Sequence, residues 1–215
     1  SCVFSFKAET DNTVKQKTQD DEYTFVVDVA VTDLNGETRN ETVSYTIGYK
    51  GFDLVHSIAE KNELEKFKQF TVSAKSKFGQ KVAAYIQLKI TALQTPQRLI
   101  RERFWNEPDT FIFSQKEYWQ HFPYDEYQNE TDPKTWTKGN IVFETTLNTA
   151  VTDTVLLPQL PQGNYVIEMV AKDKNNNEIK NETFTELYSN TSNDFATPTF
   201  DWNSFLEKNK LYQPN

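Results

Sequence analysis

Apolar and polar residues alternate with a period of two along most of the chain, the pattern of strands that bury one face. Cys2, Phe4 and Phe6 share one side of the opening CVFSF stretch, and Phe25, Val27, Val29 and Val31 share one side of YTFVVDVAVTD. The polar run from 10 to 22 reads as a solvated loop between them. After the second strand comes Leu34-Asn35-Gly36-Glu37, whose Asn-Gly pair tolerates the positive φ that a tight hairpin turn demands, and TRNETVSYTIGY returns as the partner strand.

The same unit recurs. Residues 165–187 align with 25–46: Asp173 matches Asp33, Asn175 matches Asn35, and Lys180-Asn181-Glu182-Thr183 matches Arg39-Asn40-Glu41-Thr42 with one extra turn residue. A weaker third copy, residues 70–90, turns at Phe78-Gly79. Repeated hairpins point to tandem β-modules. FDLVHSI reads as a short strand, and the charged stretch AEKNELEKFKQF as a loop into the next strand, although Ser57 and Glu60 have the spacing of a helix capping box. Strands follow at residues 84–93, 140–148 and 152–160, and Pro161-Gln162-Gly163 turns into the last hairpin.

The alternation fails between Pro96 and Gly139. This stretch holds Phe104, Trp105, Phe111, Phe113, Tyr118, Trp119, Phe122, Tyr124, Tyr127 and Trp136, about a third of all the aromatics. It reads as an aromatic-rich insertion on an all-β scaffold, with Ser114 and Glu117 starting a helix of about two turns that ends at Phe122 before Pro123. Either its rings pack on the sandwich and on each other, or they form a partner or ligand surface, since Trp, Tyr and Arg dominate binding hot spots. Trp105, Trp119, Tyr124 and Trp136 are the candidate interaction residues. A coplanar exposed row of tryptophans would suit glycan; buried rings would suit a scaffold. The tail from 190 to 215 reads as a linker with a short helix at about 201–208, leading toward a following domain.

Composition narrows the function classes. A net charge of −8 over 215 residues leaves no clustered basic face for nucleic acid. Arg98, Arg101 and Arg103 are interleaved with Glu102 and Glu107 and read as local ion pairs. No apolar run is long enough to span a bilayer, so this segment is not expected to contact membrane itself. With one cysteine and two histidines, no internal disulfide or zinc-type ligand set can be assembled, and no cofactor is expected. Cys2 reads as a buried strand residue, and lipid modification of it stays open. His121 lies among aromatics and His56 in a strand, both read as structural; no nucleophile elbow or phosphate-cradling loop appears, so the chain is read as non-enzymatic.

The segments VTDLNGETRNETVSYTIGYKGFDL, LIRERFWNEPDTF, FPYDEYQNETDPKTWTKGNIVFET and LPQGNYVIEMVAKDKNNNEI together resemble the large bacterial alpha-2-macroglobulin-like proteins, particularly those of Bacteroidetes type. The resemblance covers most of residues 23–189. It implies macroglobulin-like domains, each a seven-stranded antiparallel sandwich akin to fibronectin type III. Residues 1–51 would be the closing strands of a preceding domain, and residues 52–189 a complete one interrupted between its third and fourth strands by the insertion 96–139. It further implies an exported, membrane-anchored parent in the cell envelope or periplasm that traps proteases, with neighbouring domains, and proteases, as partners. The reactive Cys-Gly-Glu-Gln motif of the family is absent, and Cys2 lies in CVFS, so no covalent trapping residue carries over. The expected role is scaffold; the alternative is a carbohydrate- or protein-binding module of a cell-envelope protein.

Overall fold

The computed structural model describes residue 5 and residues 22–48, 50–101, 106, 109–192 and 196–200. The expected opening strand at Cys2–Phe6 and the expected tail helix at 201–208 lie outside the described residues, as do Arg103 and Trp105.

Two long strands, β1 (Glu22–Thr32) and β2 (Thr38–Gly48), form an antiparallel hairpin. A sandwich follows, built from β3 (Asp53–His56), β4 (Lys61–Glu63), β5 (Gln69–Lys75), β6 (Lys81–Val82) and β7 (Tyr85–Gln94). The insertion then contributes β8 (Ile100–Arg101), the helix α1 (Gln115–His121) and a 3-10 turn at Pro133–Thr135. The chain returns through β9 (Thr137–Asn148), β10 (Thr154–Leu156), β11 (Gly163–Lys172) and β12 (Glu178–Tyr188), and ends its described part with β13 (Thr199–Phe200). One layer has the order β10-β5-β3, with β6 paired to β5; the other has the order β4-β12-β11-β7-β9. This is an all-β sandwich.

Alternation decides what lies between the layers. Phe70, Val72 and Ala74 of β5 face Ile86, Leu88 and Ile90 of β7 and Tyr165, Ile167 and Met169 of β11, all nearly or fully excluded from water. At about 25 cal/mol per Å² of apolar surface removed from water, these side chains supply most of the favourable free energy of folding. Central β11 is buried on both faces, because Val166 on its outer side packs with Leu93 and Trp136 under the insertion. Strand β9 slips register against β7 near Thr91. Such bulges bend a strand. Gly139 lies in that bent segment, where an added Cβ would stand 3.1 Å from the Ala92 carbonyl oxygen.

The turns explain the repeats. In the first hairpin the Asp33 amide donates to Glu37 O and the Gly36 amide to Asp33 O; in the last, Asp173 donates to Asn177 O and Asn176 to Asp173 O. Ser76, Gly79 and Gln80 repeat the pattern between β5 and β6. The first residue also caps its own turn: Asp33 Oδ1 accepts from Asn35 and Glu37 amides, and Asp173 Oδ1 from Asn175 and Asn177 amides. The left-handed position is filled by Gly36 (φ 84°), Gly79 (φ 76°) and Asn176 (φ 63°). In the first turn positive φ therefore falls on Gly36 alone, not on the Asn-Gly pair, as in a three-residue loop closed by a bulge glycine.

Three expectations are corrected here. The turns are the same length: Thr32 pairs with Thr38 and Lys172 with Glu178, so the extra turn residue inferred from the Asn-Glu-Thr match does not exist. A one-residue gap would have moved every side chain of β12 to the opposite face. The charged stretch after β3 is not simply loop, since Lys61–Glu63 forms a short parallel strand on β12. No helix starts at Ser57, whose hydroxyl instead accepts from the Thr71 amide. Finally, β9 begins at Thr137, inside the span assigned to the insertion.

Candidate functional site

The insertion is ordered from local chemistry outward. Ser114 caps α1 as its spacing predicted: its hydroxyl accepts from the Glu117 amide, and the Glu117 carboxylate accepts from the Ser114 amide at 3.0 Å. The Ser114 hydroxyl also donates to the Glu117 carboxylate at 2.6 Å, and this bond, with the one from the Ser114 amide, holds the Glu117 carboxyl below its ordinary range. Along the helix, Tyr118 meets Phe111 and Tyr127, with ring centroids 6.1 and 5.3 Å away, and Phe111 and Tyr127 stand 4.6 Å apart. Such tilted contacts stabilise beyond their area alone. Phe122 packs on Tyr118 at 5.1 Å and His121 on Phe113 at 5.6 Å. The result is a small aromatic cluster of the insertion's own.

A second knot ties this cluster to the sandwich. Arg98 Nε donates to Glu130 Oε1 at 3.2 Å and Nη2 to Glu130 Oε2, while Nη1 and Nη2 donate to the carbonyls of Pro123 and Asp125, each at 2.7 Å. The guanidinium lies 5.0 Å above the Trp119 ring, whose Nε1 donates to Glu130 Oε2 at 3.4 Å. Glu130 also accepts from the Tyr127 amide at 2.8 Å, and its carbonyl accepts from Trp136 Nε1 at 2.6 Å. Arg101 donates to buried Asp125 at 2.6 Å, which raises the arginine further above its ordinary range. The planar fork of Arg98 suits this bidentate, stacked position as a lysine would not.

Of the expected interaction residues, the structure brings Trp119 and Trp136 together on Glu130. Trp136 is only 9% exposed and packs against Leu93, Val166 and Phe184 on the outer face of the sandwich. Trp119 is half-buried. Tyr124 is 54% exposed, and Ile112, Phe113 and Phe122 of the insertion are exposed as well. No coplanar exposed row of tryptophans forms among the described residues. Arg98 and Arg101 do form ion pairs, with Glu130 and Asp125 from further along the insertion; Glu102 and Glu107, the neighbours read as their partners in the sequence, lie outside the described residues.

Glu130, Asp125 and the tail were not singled out in the sequence. The tail matters because the Ile100 amide donates to Pro198 O, Asn164 Nδ2 donates to Ala196 O, and β13 pairs with β8, clipping the base of the insertion to the sheet. A groove of about 530 Å³ lies between the 3-10 turn and β12, with Trp136 and Phe184 at its apolar side and Glu182 and Lys134 at its rim. His56 is held at both ring nitrogens: Nδ1 accepts from the Ile58 amide, which leaves Nε2 to donate to Thr183 Oγ1 at 2.8 Å, and burial lowers its pKa. Among the described residues no group of three metal-ligating side chains gathers, and no helix is long and apolar enough to cross a membrane.

No family model matches the chain, and no curated protein matches it. Among solved structures, a crystal structure of a tetra-tandem repeat from the extending region of a large adhesion protein is similar at 14% identity, with a TM-score of 0.32. The match covers 77% of this chain and 32% of that one. A likeness at that TM-score carries no argument about mechanism.

Proposed function

We propose that the chain is a non-enzymatic structural module, a β-sandwich segment of an exported alpha-2-macroglobulin-like protein of the cell envelope, which serves as scaffold for the protease-trapping parts of its parent. The observation that carries the scaffold role is the state of the tryptophans. Trp136 is buried with its indole N–H satisfied by Glu130 O, and Trp119 is sandwiched under Arg98. A sugar-binding platform needs an open ring face, and the Arg98 guanidinium already lies over Trp119. The macroglobulin-like assignment draws support from β3, β5 and β10 facing β12, β11, β7 and β9, and from the position of the insertion between β7 and β9.

A second reading, a protein-binding surface on the insertion, draws on the exposed group of Ile112, Phe113, Phe122 and Tyr124. Large apolar side chains exposed together on one segment favour such a site. Iodide quenching of tryptophan fluorescence, before and after adding glycans or proteases, separates the readings. Shielded, blue-shifted emission that ignores every additive is the expected result. Emission that shifts with one ligand class would replace the scaffold reading with a binding one.

A further inference from the structure

The tip of the β1–β2 hairpin carries the one Asn-Gly pair in the sequence, Asn35-Gly36. Gly36 supplies the left-handed position at φ 84°, and residues 33–37 are all exposed. The Asn35 main-chain amide donates to Asp33 Oδ1 at 2.8 Å, while its side-chain amide meets no partner among the described residues. A Cβ built at Gly36 would meet nothing within 4 Å, and the Gly36 amide is tied by one bond, donated to Asp33 O at 3.1 Å.

Such a pair holds an electrophile and a nucleophile side by side. When a base in water takes the Gly36 amide proton, the nitrogen can attack Asn35 Cγ. The Cγ–Nδ2 bond breaks, the side-chain nitrogen leaves as ammonia with a proton drawn from water, and a five-membered succinimide remains. Water then opens the ring at one of its two carbonyls. Cleavage of the new Cγ–N bond gives aspartate; cleavage of the original peptide bond gives isoaspartate, whose main chain runs through the former side-chain methylene. In sum, asparagine and water become aspartate or isoaspartate and ammonia. Ring closure swings the Gly36 nitrogen across the Asn35 side chain, a movement that a Cβ on the following residue obstructs and glycine permits.

The second hairpin offers the comparison within the same chain. Its turn has the same hydrogen bonds, but Asn176 fills the left-handed position at φ 63°. Asn175, the match of Asn35, is therefore followed by a residue with a Cβ. Asn176 is no better placed. The nitrogen that would attack it, the Asn177 amide, donates to Asp173 Oδ1 at 2.9 Å, and the Asn177 side chain donates to Asp173 Oδ2 at 3.1 Å.

We propose that Asn35 is a modification site of the folded chain, converted without an enzyme through a succinimide to aspartate and isoaspartate. Either product adds a third carboxylate beside Asp33 and Glu37 at an exposed tip. The isoaspartyl form also lengthens the main chain between residues 35 and 36. That moves the Gly36 and Glu37 amides off Asp33, which holds them through its O and Oδ1, and loosens the closing pair Thr32–Thr38.

Peptide mapping by mass spectrometry tests this on the folded 215-residue chain, aged at neutral and at mildly alkaline pH and digested in acid. Labelling by an isoaspartyl methyltransferase distinguishes isoaspartate from aspartate. The peptide containing Asn35 is expected to convert at least about tenfold faster than the one containing Asn175 and Asn176, the factor that one Cβ clash is worth. The rate is expected to rise with pH, and isoaspartate to be among the products. Gly36→Asn copies the second turn and is expected to slow conversion at position 35 by the same factor. Asn35→Gln alters no turn hydrogen bond, would have to close a six-membered ring, and is expected to leave the peptide unconverted over the same period. Conversion at Asn35 no faster than at Asn175 and Asn176 would overturn the proposal. So would aspartate formed without isoaspartate, which is direct hydrolysis, or conversion that begins only when urea unfolds the chain.

Discussion

Replacing Glu130 by alanine removes the acceptor on which the insertion converges. Its side chain is 11% exposed and that of Arg98 20%, so water compensates only partly. The substitution deletes the acceptor for Arg98 Nε and Nη2, for the Tyr127 amide and for Trp119 Nε1, while Arg98 keeps the carbonyls of Pro123 and Asp125. Stranding a mostly buried guanidinium costs several kcal/mol when nothing else holds it, and each charge-assisted bond is worth a fraction of that, so the retained carbonyls bring the expected loss to about 3 kcal/mol. The loss falls on the insertion rather than on the sandwich, because the partners the carboxylate gives up, Arg98, Trp119 and Tyr127, all lie in the insertion and none belongs to the inter-layer core. Hydrogen exchange is the assay: amides of residues 109–136 are expected to exchange about 100-fold faster, with β11 much less changed. Glu130→Gln, which can still accept from the Tyr127 amide, is expected to lose less. Arg98→Ala with Glu130→Ala is expected to cost less than the two single losses added together, since it leaves no unpaired buried charge. Unchanged exchange in the insertion would refute the reasoning, and so would an equal loss throughout the sandwich.

Two further outcomes follow from the core and from His56. Met169→Ala, at a side chain wholly excluded from water between the layers, is expected to lower unfolding free energy by about 3 kcal/mol in urea titrations, a cavity cost that an exposed site such as Val151 would not show. His56 is held below its ordinary pKa by burial, so the unfolded chain takes up the proton first as pH falls. The wild-type chain should therefore lose stability as pH drops through the ordinary histidine range, with no further loss from this group once the folded form is also protonated. His56→Gln should flatten that part of the profile in urea titrations between pH 7.5 and 5.5; an identical slope in both would refute the assignment.

Features held by a few neighbouring residues were legible in the chain. The hairpin strands, the positions of their turns, and the capping of α1 by Ser114 and Glu117 depend on contacts within about five positions, where side-chain type and spacing already define the geometry; the capping of each turn by Asp33 or Asp173 was not read from the sequence. The period of two fixed which residues share a face, and so the identity of the core. The proposed extra turn residue failed because the Asn-Glu-Thr match compared side chains on opposite faces, a distinction made by pairing register and not by composition.

What tertiary structure alone decided is where distant partners meet. Arg98 reaches Glu130 across 32 positions, Asn62 reaches Thr185 across 123, and His56 reaches Thr183 across 127. In the sequence each of these is one polar residue among many with the right charge or donor, and the choice between them follows from how the two layers and the insertion pack. The burial of Trp136 and the exposure of Tyr124 belong to the same class. A ring's chemistry is written in the chain, but its solvent exposure depends on what the fold lays over it.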